Sequence, residues 1–285
     1  MSTMDSNILS YTYTGSEDIL LKDYLKSVGI SKNLLTKLKR QRLGITRDGI
    51  LIRSIDTVHT GDTIVLSLQD TSFLEPNSNL YVPIAYQDDD VVVFDKPYNM
   101  PIHPSIKHQG DTLGNYYSYL YPNTTFRAVI RLDRNTSGLC LVAKNQHSAS
   151  VLQKNVNKVY YAIVLGLVDD MGTIDAPIKR EEQSIIKRTV SEDGQPSITH
   201  YKRLAYNGKY SLVEVTLETG RTHQIRVHFS YIGHALAGDD LYGGTTEDIN
   251  RQALHCGKLM FNSVQDGSVI EVSSKLPKDM LSLIE

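Results

Sequence analysis

Between residues 90 and 272 the chain returns repeatedly to one kind of segment: a short apolar run, often alternating, bounded by polar or turn-forming residues. Asp90–Phe94, Leu139–Ala143, Val159–Leu165, Ser211–Leu217 and Val269–Val272 are such runs, with the length and β-branched content of strands. Only two longer stretches there carry helical spacing. One is about Gln146–Val156, with Asn145 as N-cap; the other is about Thr222–Ile232, where Ile225, Phe229 and Ile232 fall at i, i+4 and i+7. Strands interrupted by single helices predict an α+β fold around a mixed, mostly antiparallel central sheet with flanking helices. A doubly wound nucleotide fold is not indicated. No Gly-x-Gly-x-x-Gly follows a strand, and no phosphate loop ends in Gly-Lys-Ser or Gly-Lys-Thr.

The N-terminal part has a different texture. Two short amphipathic helices are predicted, at about Glu17–Ser27 with Ile19, Leu20 and Leu25 facing inward, and after the N-cap Ser31 with Leu34, Leu35 and Leu38 as its stripe. Gly44 closes the second helix, strands follow around Asp48-Gly49, and TIVLSL makes another strand. From Ser31 to Arg47 there are six basic residues and no acidic one. Lys32, Lys39 and Arg42 lie off the apolar stripe, toward solvent. Residues 17–69 hold nine basic and six acidic side chains, a local charge of +3. Such a run is by itself an ordinary solvated helix face; it is also what a phosphate backbone would require. Residues 70–80, DTSFLEPNSNL, read as a linker.

Composition narrows the classes further. With 30 Lys plus Arg against 32 Asp plus Glu, the net charge of −2 gives no hint of nucleic acid. No apolar stretch approaches the ~18–20 residues of a membrane span, and the N-terminus lacks the pattern of a signal peptide. A cytoplasmic monomer is expected. The two cysteines, Cys140 and Cys256, sit in apolar sequence and read as buried thiols.

Four stretches carry candidate chemistry. The first, Asp95-Lys96-Pro97 with Met100-Pro101-Ile102-His103-Pro104, is a rigid strand exit in which His103 reads as a loop histidine. The second, Arg131-Leu132-Asp133-Arg134-Asn135-Thr136-Ser137-Gly138, is a polar loop entering an apolar strand. Asp133 is there a turn carboxylate or, bracketed by Arg131 and Arg134, a carboxylate held ionised for work as nucleophile or base. In the third, Lys158-Val159-Tyr160-Tyr161-Ala162-Ile163-Val164, alternation puts Tyr160 and Ala162 on one face and Tyr161 and Ile163 on the other. One tyrosine belongs to the core, and the other is placed to stack on a flat substrate. The fourth runs from Thr219 to His228, with Gly238-Asp239 and Leu241-Tyr242-Gly243 downstream. Arg226 flanks its apolar stripe, and a partly buried arginine demands a carboxylate partner. His223 and His228 read as satisfied polar residues at the helix edge. No His-Glu-x-x-His or Cys-x-x-Cys spacing suggests zinc.

Taken together these stretches resemble the RluA-type family of RNA pseudouridine synthases. The likeness covers nearly all of residues 81–285 and rests on the Arg-Leu-Asp-x-x-Thr-Ser-Gly loop. DDDVVVFDKPYNMPIHPS, KVYYAIVLG, PSITHY, LETGRTHQIRVHFSYIGHALAGDDLYGG and ALHCGKLMF support it, in the family's order. Residues 1–69, with 17–69 as the expected ordered part, resemble an S4 domain, a small RNA-binding module. The resemblance implies that Asp133 is the catalytic aspartate, that Tyr160 stacks on the target base and that Arg226 pairs with the catalytic carboxylate. It implies that Arg131 helps displace the target nucleotide, and that Lys32, Lys37, Lys39, Arg40 and Arg42 contact RNA. Two positions depart from the family's usual pattern. Ile130 stands where His is frequent, so any hydrogen bond from that position is absent, and Asp95 stands where Asn is frequent.

The implied reaction breaks the N1–C1′ bond of a uridine, rotates the base and makes a C5–C1′ bond. It involves no redox change and consumes no group, so it implies neither cofactor nor metal. Three routes are open to the carboxylate: attack on the sugar, attack on the base, or removal of a sugar proton. The expected substrate is structured RNA, with large-subunit ribosomal RNA ahead of transfer RNA on the strength of the S4-like part. The competing reading is a ribosome-assembly protein that binds RNA with a vestigial catalytic domain. A nucleoside hydrolase would need a second, suitably placed carboxylate.

Overall fold

The structure is a computed structural model that describes residues 8–41, 43–67, 74–153, 155–184 and 186–285. Its centre is a ten-stranded mixed sheet. Along the main path the order is Met171–Asp175, Ile198–Tyr206, Tyr210–Leu217, Val156–Leu165, Leu254–Asn262, Ser137–Ala143, Val91–Lys96, Ile84–Gln87. Val269–Ser273 pairs with Leu254–Asn262, and Arg127–Ala128 with Ser137–Ala143. Every pairing in this sheet is antiparallel except one short parallel step, Ser137 with His255 and Gly138 with Cys256. The α+β expectation holds.

The central strands read as unbroken apolar runs because they are covered on both faces. Val91, Val93, Leu139 and Leu141 enter the main core with Tyr160, Ala162, Ile225 and Phe229. Their neighbours Val92, Phe94, Cys140 and Val142 pack on the opposite face against Leu113, Tyr116 and Tyr117 of the helix Leu113–Leu120. Ile163 faces a third cluster, closed by Met280 and Leu283 near the C-terminus. Both cysteines are buried free thiols.

Several boundaries differ from the sequence reading, each for a local reason. The helix capped by Asn145 ends at Leu152, because Val156 already starts the next strand. The helix expected from Thr222 begins at Gln224, since His223 adopts a left-handed φ of 59°. In the N-terminal part the first helix is Leu21–Ser27. Ile19–Leu20 instead pairs with Thr57–Val58, so the helical phase moves: Leu20 is exposed while Leu21, Tyr24 and Leu25 are buried. Ser31 caps the helix Lys32–Leu38 through the Leu34 N–H, with Leu34 and Leu38 buried beneath it. The turn at Asp48-Gly49 has φ of 50° and 78° and joins the strands Ile45–Arg47 and Ile50–Leu51, a conformation that suits Asp-Gly. Ordered structure starts earlier than residue 17, because Ile8–Thr12 adds an edge strand to Thr63–Ser67. These elements enclose a core of their own, including Leu21, Leu25, Leu34, Leu38, Ile64 and Leu66. Tyr11 lies edge-on to His147 of the larger unit. No helix among the described residues is long and apolar enough to cross a membrane.

The parallel step places a titratable group under the Asp133 loop. The Ser137 hydroxyl is 3.0 Å from His255 Nδ1, and burial, only partly opposed by Asp95, pulls the His255 pKa down to about 4. The unfolded chain takes up this proton near pH 6.5 and the folded one does not, so stability falls as pH drops from 6.5 toward 4. From His255 alone we expect a loss of about 2–3 kcal/mol between pH 7 and 4.5. Denaturant unfolding at both pH values should show a smaller difference for His255→Gln.

Candidate active site

The segment 130–136 emerges between Arg127–Ala128 and the strand Ser137–Ala143, and its shape is held from several directions. Within it, the Thr136 N–H donates to Asp133 O. Lys96 Nζ donates to the carbonyls of Pro97, Met100 and Arg134 at 2.8–3.1 Å. This ammonium is 1% exposed, and burial pulls its pKa down to about 7. Arg251 Nη1 donates to Asn135 O, and Gln252 Nε2 to Thr136 Oγ1. Gly138 ends the loop with φ +107°, and a Cβ there would lie 2.3 Å from Cys256 O. Only glycine meets both conditions, which accounts for the Ser-Gly at this strand's start.

The helix Gln224–Tyr231 presents Arg226 to this loop. Arg226 Nη1 donates to Asp133 Oδ2 at 3.1 Å. Its Nε and Nη2 form a bidentate pair with Asp239 at 2.7 and 2.8 Å. Burial works against the charge of Arg226, but Asp239 and then Asp133 outweigh it and raise its pKa. The Tyr242 ring lies under the guanidinium at 4.9 Å. The carboxylate that Arg226 demanded is thus found twice over, and the more buried partner, Asp239, was not foreseen. The expected bracketing of Asp133 by its neighbours is not what the structure shows. Arg134 turns to His108 at 3.2 Å, and Arg131 makes no ion pair among the described residues.

Asp133, Tyr160, Arg226 and Arg131 line one cleft of about 400 Å³ together with Leu132, Leu217, Ile225 and Leu254. Tyr160 follows an irregularity in pairing between Val159 and Tyr160. Burial, with Cys256 and Asp133 nearby, pushes its hydroxyl well above the usual tyrosine pKa. The two histidines separate. His228 is a structural residue, bonded to Thr199 Oγ1 and Ala176 O. His223, also expected to be structural, instead lines the cleft, with Nδ1 2.8 Å from the Tyr242 hydroxyl and Nε2 3.6 Å from Asp133 Oδ2. Burial lowers its pKa, ahead of the opposing pull of Asp133. Neither the His223 position nor that of Asp239 follows from spacing, since both depend on how Gly238–Tyr242 folds back on the helix. His103 is exposed and lies edge-on to Phe126. Ile130 is 3% exposed within the main core, so its side chain serves packing. Asp95 accepts from the Ser274 hydroxyl.

Lys32, Lys37, Lys39 and Arg40 are exposed on and just beyond the second N-terminal helix. They make no ion pair among the described residues and do not line the cleft; Arg42 lies outside the described residues. Among the described residues no three His, Cys, Asp or Glu side chains gather as a metal site requires.

Comparisons with known proteins agree on one family. Residues 90–231 match the family model for RNA pseudouridylate synthase. A Bacillus subtilis (strain 168) protein, "Uncharacterized RNA pseudouridine synthase YjbO", is 41% identical over 278 residues, 93% of this chain and 98% of its own. "Ribosomal large subunit pseudouridine synthase D" of Pseudomonas aeruginosa is 35% identical over 286 residues, 90% of this chain and 89% of its own. Among solved structures, "Human RNA Pseudouridylate Synthase Domain Containing 1" superposes with a TM-score of 0.59 at 28% identity, over 74% of this chain and 89% of that one.

Proposed function

The chain belongs to the RNA pseudouridine synthases, and from that premise we propose that it isomerises uridines of large-subunit ribosomal RNA, with Asp133, Arg226 and Tyr160 as its catalytic residues. The observation that carries the assignment of residues is the cleft itself. A carboxylate hydrogen-bonded by a buried arginine opens onto a space lined by Tyr160 and by Leu132, Leu217, Ile225 and Leu254. Arg226, clamped by Asp239, presents one N–H to Asp133, which aims the carboxylate. The carboxylate then bonds to or deprotonates the nucleotide while the N1–C1′ bond breaks. The Tyr160 ring supports the uracil as it turns from N1 to C5; when the C5–C1′ bond forms, the C5 proton is lost to solvent and N1 ends protonated. The target must leave its stack, at a cost of a few kcal/mol. Arg131 at the mouth and the basic helix of the N-terminal part, a part that resembles an S4 domain, supply backbone contacts to offset it. The choice of ribosomal RNA draws on that helix and on relatives named as ribosomal large subunit synthases.

Base-resolved carbodiimide mapping of RNA from cells with and without the gene tests this. Sites lost from large-subunit ribosomal RNA, and restored by wild type but not by Asp133→Asn, are the expected result. Loss confined to transfer RNA would overturn the substrate. No lost site, together with inactive purified protein, would favour the vestigial reading.

A further inference from the structure

Next to the cleft lies a wider groove of about 660 Å³ that the proposed chemistry does not use. Its wall is the hairpin formed by Ile178–Arg180 and Arg188–Val190, and Lys179, Arg180, Arg188 and Arg221 line it with one acid, Asp193. Lys179 spends its charge on Asp193 at 2.9 Å. The three arginines have no carboxylate within ion-pair distance among the described residues. Instead, carbonyl oxygens hold them in place: Arg180 Nε on Ser184 O, Arg188 Nη1 on Ile186 O and Lys187 O, Arg221 Nε on Pro196 O. A carbonyl orients a guanidinium without neutralising it. Glu181 and Glu182 border a neighbouring hollow with Arg180, outside the groove. Glu181 pairs with Lys187, and neither Glu181, Glu182 nor Glu192 lines it.

Two features join the groove to the cleft. Arg221 lines both. The Arg188 backbone N–H donates to the Tyr242 hydroxyl at 2.9 Å, and that hydroxyl meets His223 beside Asp133. The distance from the basic groove to the reacting carboxylate is therefore set by hydrogen bonds and not by a free loop.

We infer that this groove is a subsite for the ribose–phosphate backbone adjoining the flipped uridine, with Arg180, Arg188 and Arg221 taking phosphate oxygens. Forked guanidinium donors match phosphate geometry, and Arg221 is common to the groove and the cleft. The inference rests on RNA being the substrate.

The test compares wild type with Arg180→Ala/Arg188→Ala on transcribed large-subunit ribosomal RNA, reading affinity against salt and the kinetics of pseudouridine formation. The backbone N–H of Arg188 survives this change. Two lost phosphate contacts should reduce the slope of log K against log salt by about 1.4. KM should rise about tenfold at physiological salt, with kcat falling by much less. Arg180→Lys/Arg188→Lys should restore most of the slope. In wild type, RNA should protect these arginines from phenylglyoxal, a readout that does not depend on a variant folding. A wild-type slope and KM in the alanine pair, or unprotected arginines in an RNA-bound wild type, overturns the subsite. If wild type neither binds nor modifies the RNA, the ribosomal substrate is wrong instead.

Discussion

Asp133→Asn should lower the rate of pseudouridine formation by more than about a thousandfold, the scale on which loss of a reacting group is felt, while leaving the protein folded and able to bind RNA. Both halves follow from the same geometry. Among the described residues the carboxylate supplies the only acidic oxygens lining the cleft, and an amide of the same shape neither attacks carbon nor accepts a proton. Yet Arg226 keeps its bidentate pair with Asp239 when Asp133 is neutralised. The Asp133 side chain is 29% exposed, so its own ion pair is partly screened and worth about 1 kcal/mol or less. Tm should stay within about 3 °C of wild type, and equilibrium binding to the substrate RNA within about threefold. Single-turnover assays beside thermal unfolding check both. A variant that turns over at the wild-type rate would remove Asp133 from the chemistry.

Asp239→Ala should do the opposite, harming the fold first. The Arg226 and Asp239 side chains are 8% and 1% exposed, so removing the carboxylate leaves a buried cation with only Asp133 for company. Breaking a pair of this kind costs about 3–5 kcal/mol. With Asp133 still in contact the lower end is expected, which for a domain of this size is a fall in Tm of roughly 6–12 °C. Activity should fall as well, because Arg226 is free to turn onto Asp133 and occlude it. Asp239→Asn, which keeps the shape but not the charge, separates the two contributions: it should recover part of the packing and little of the rate. An unchanged Tm in Asp239→Ala would mean that water reaches Arg226 and that the clamp is dispensable.

What could be read from the chain follows from where each element sits. Val91–Lys96, Ser137–Ala143 and Val156–Leu165 are apolar on both faces, and their runs announced them. Ile198–Tyr206 and Leu254–Asn262 are just as central to the sheet but went unrecognised. The first mixes Thr199, His200, Lys202 and Arg203 among its apolar positions, and the second carries His255, Gly257 and Lys258. The helix Leu113–Leu120 was hidden by its tyrosines and glycine, although Thr112 and Asn115 form a capping box at its start. In the site, Asp133, Tyr160 and Arg226 stand in linear motifs. Asp239 and His223 acquire their places only when the 238–242 turn meets the helix, which no local pattern encodes.

The short parallel step beneath the Asp133 loop has a consequence for when, during synthesis, that loop is tied down. Ser137 and His255 are 118 residues apart, as nearly are Asn135 and its clamp Arg251. Closing a loop of that length carries an entropic cost of about 4 kcal/mol before any contact repays it. At ordinary translation rates, on the order of ten seconds separates the making of Asp133 from the making of that clamp. Over that interval the Asp133 loop lacks the hydrogen bonds from Arg251 and Gln252. A chain cut short before Arg251 would contain Asp133, Tyr160 and Arg226 without that clamp on the loop. The Asp133 loop is therefore fully tied down only after Arg251 has been made.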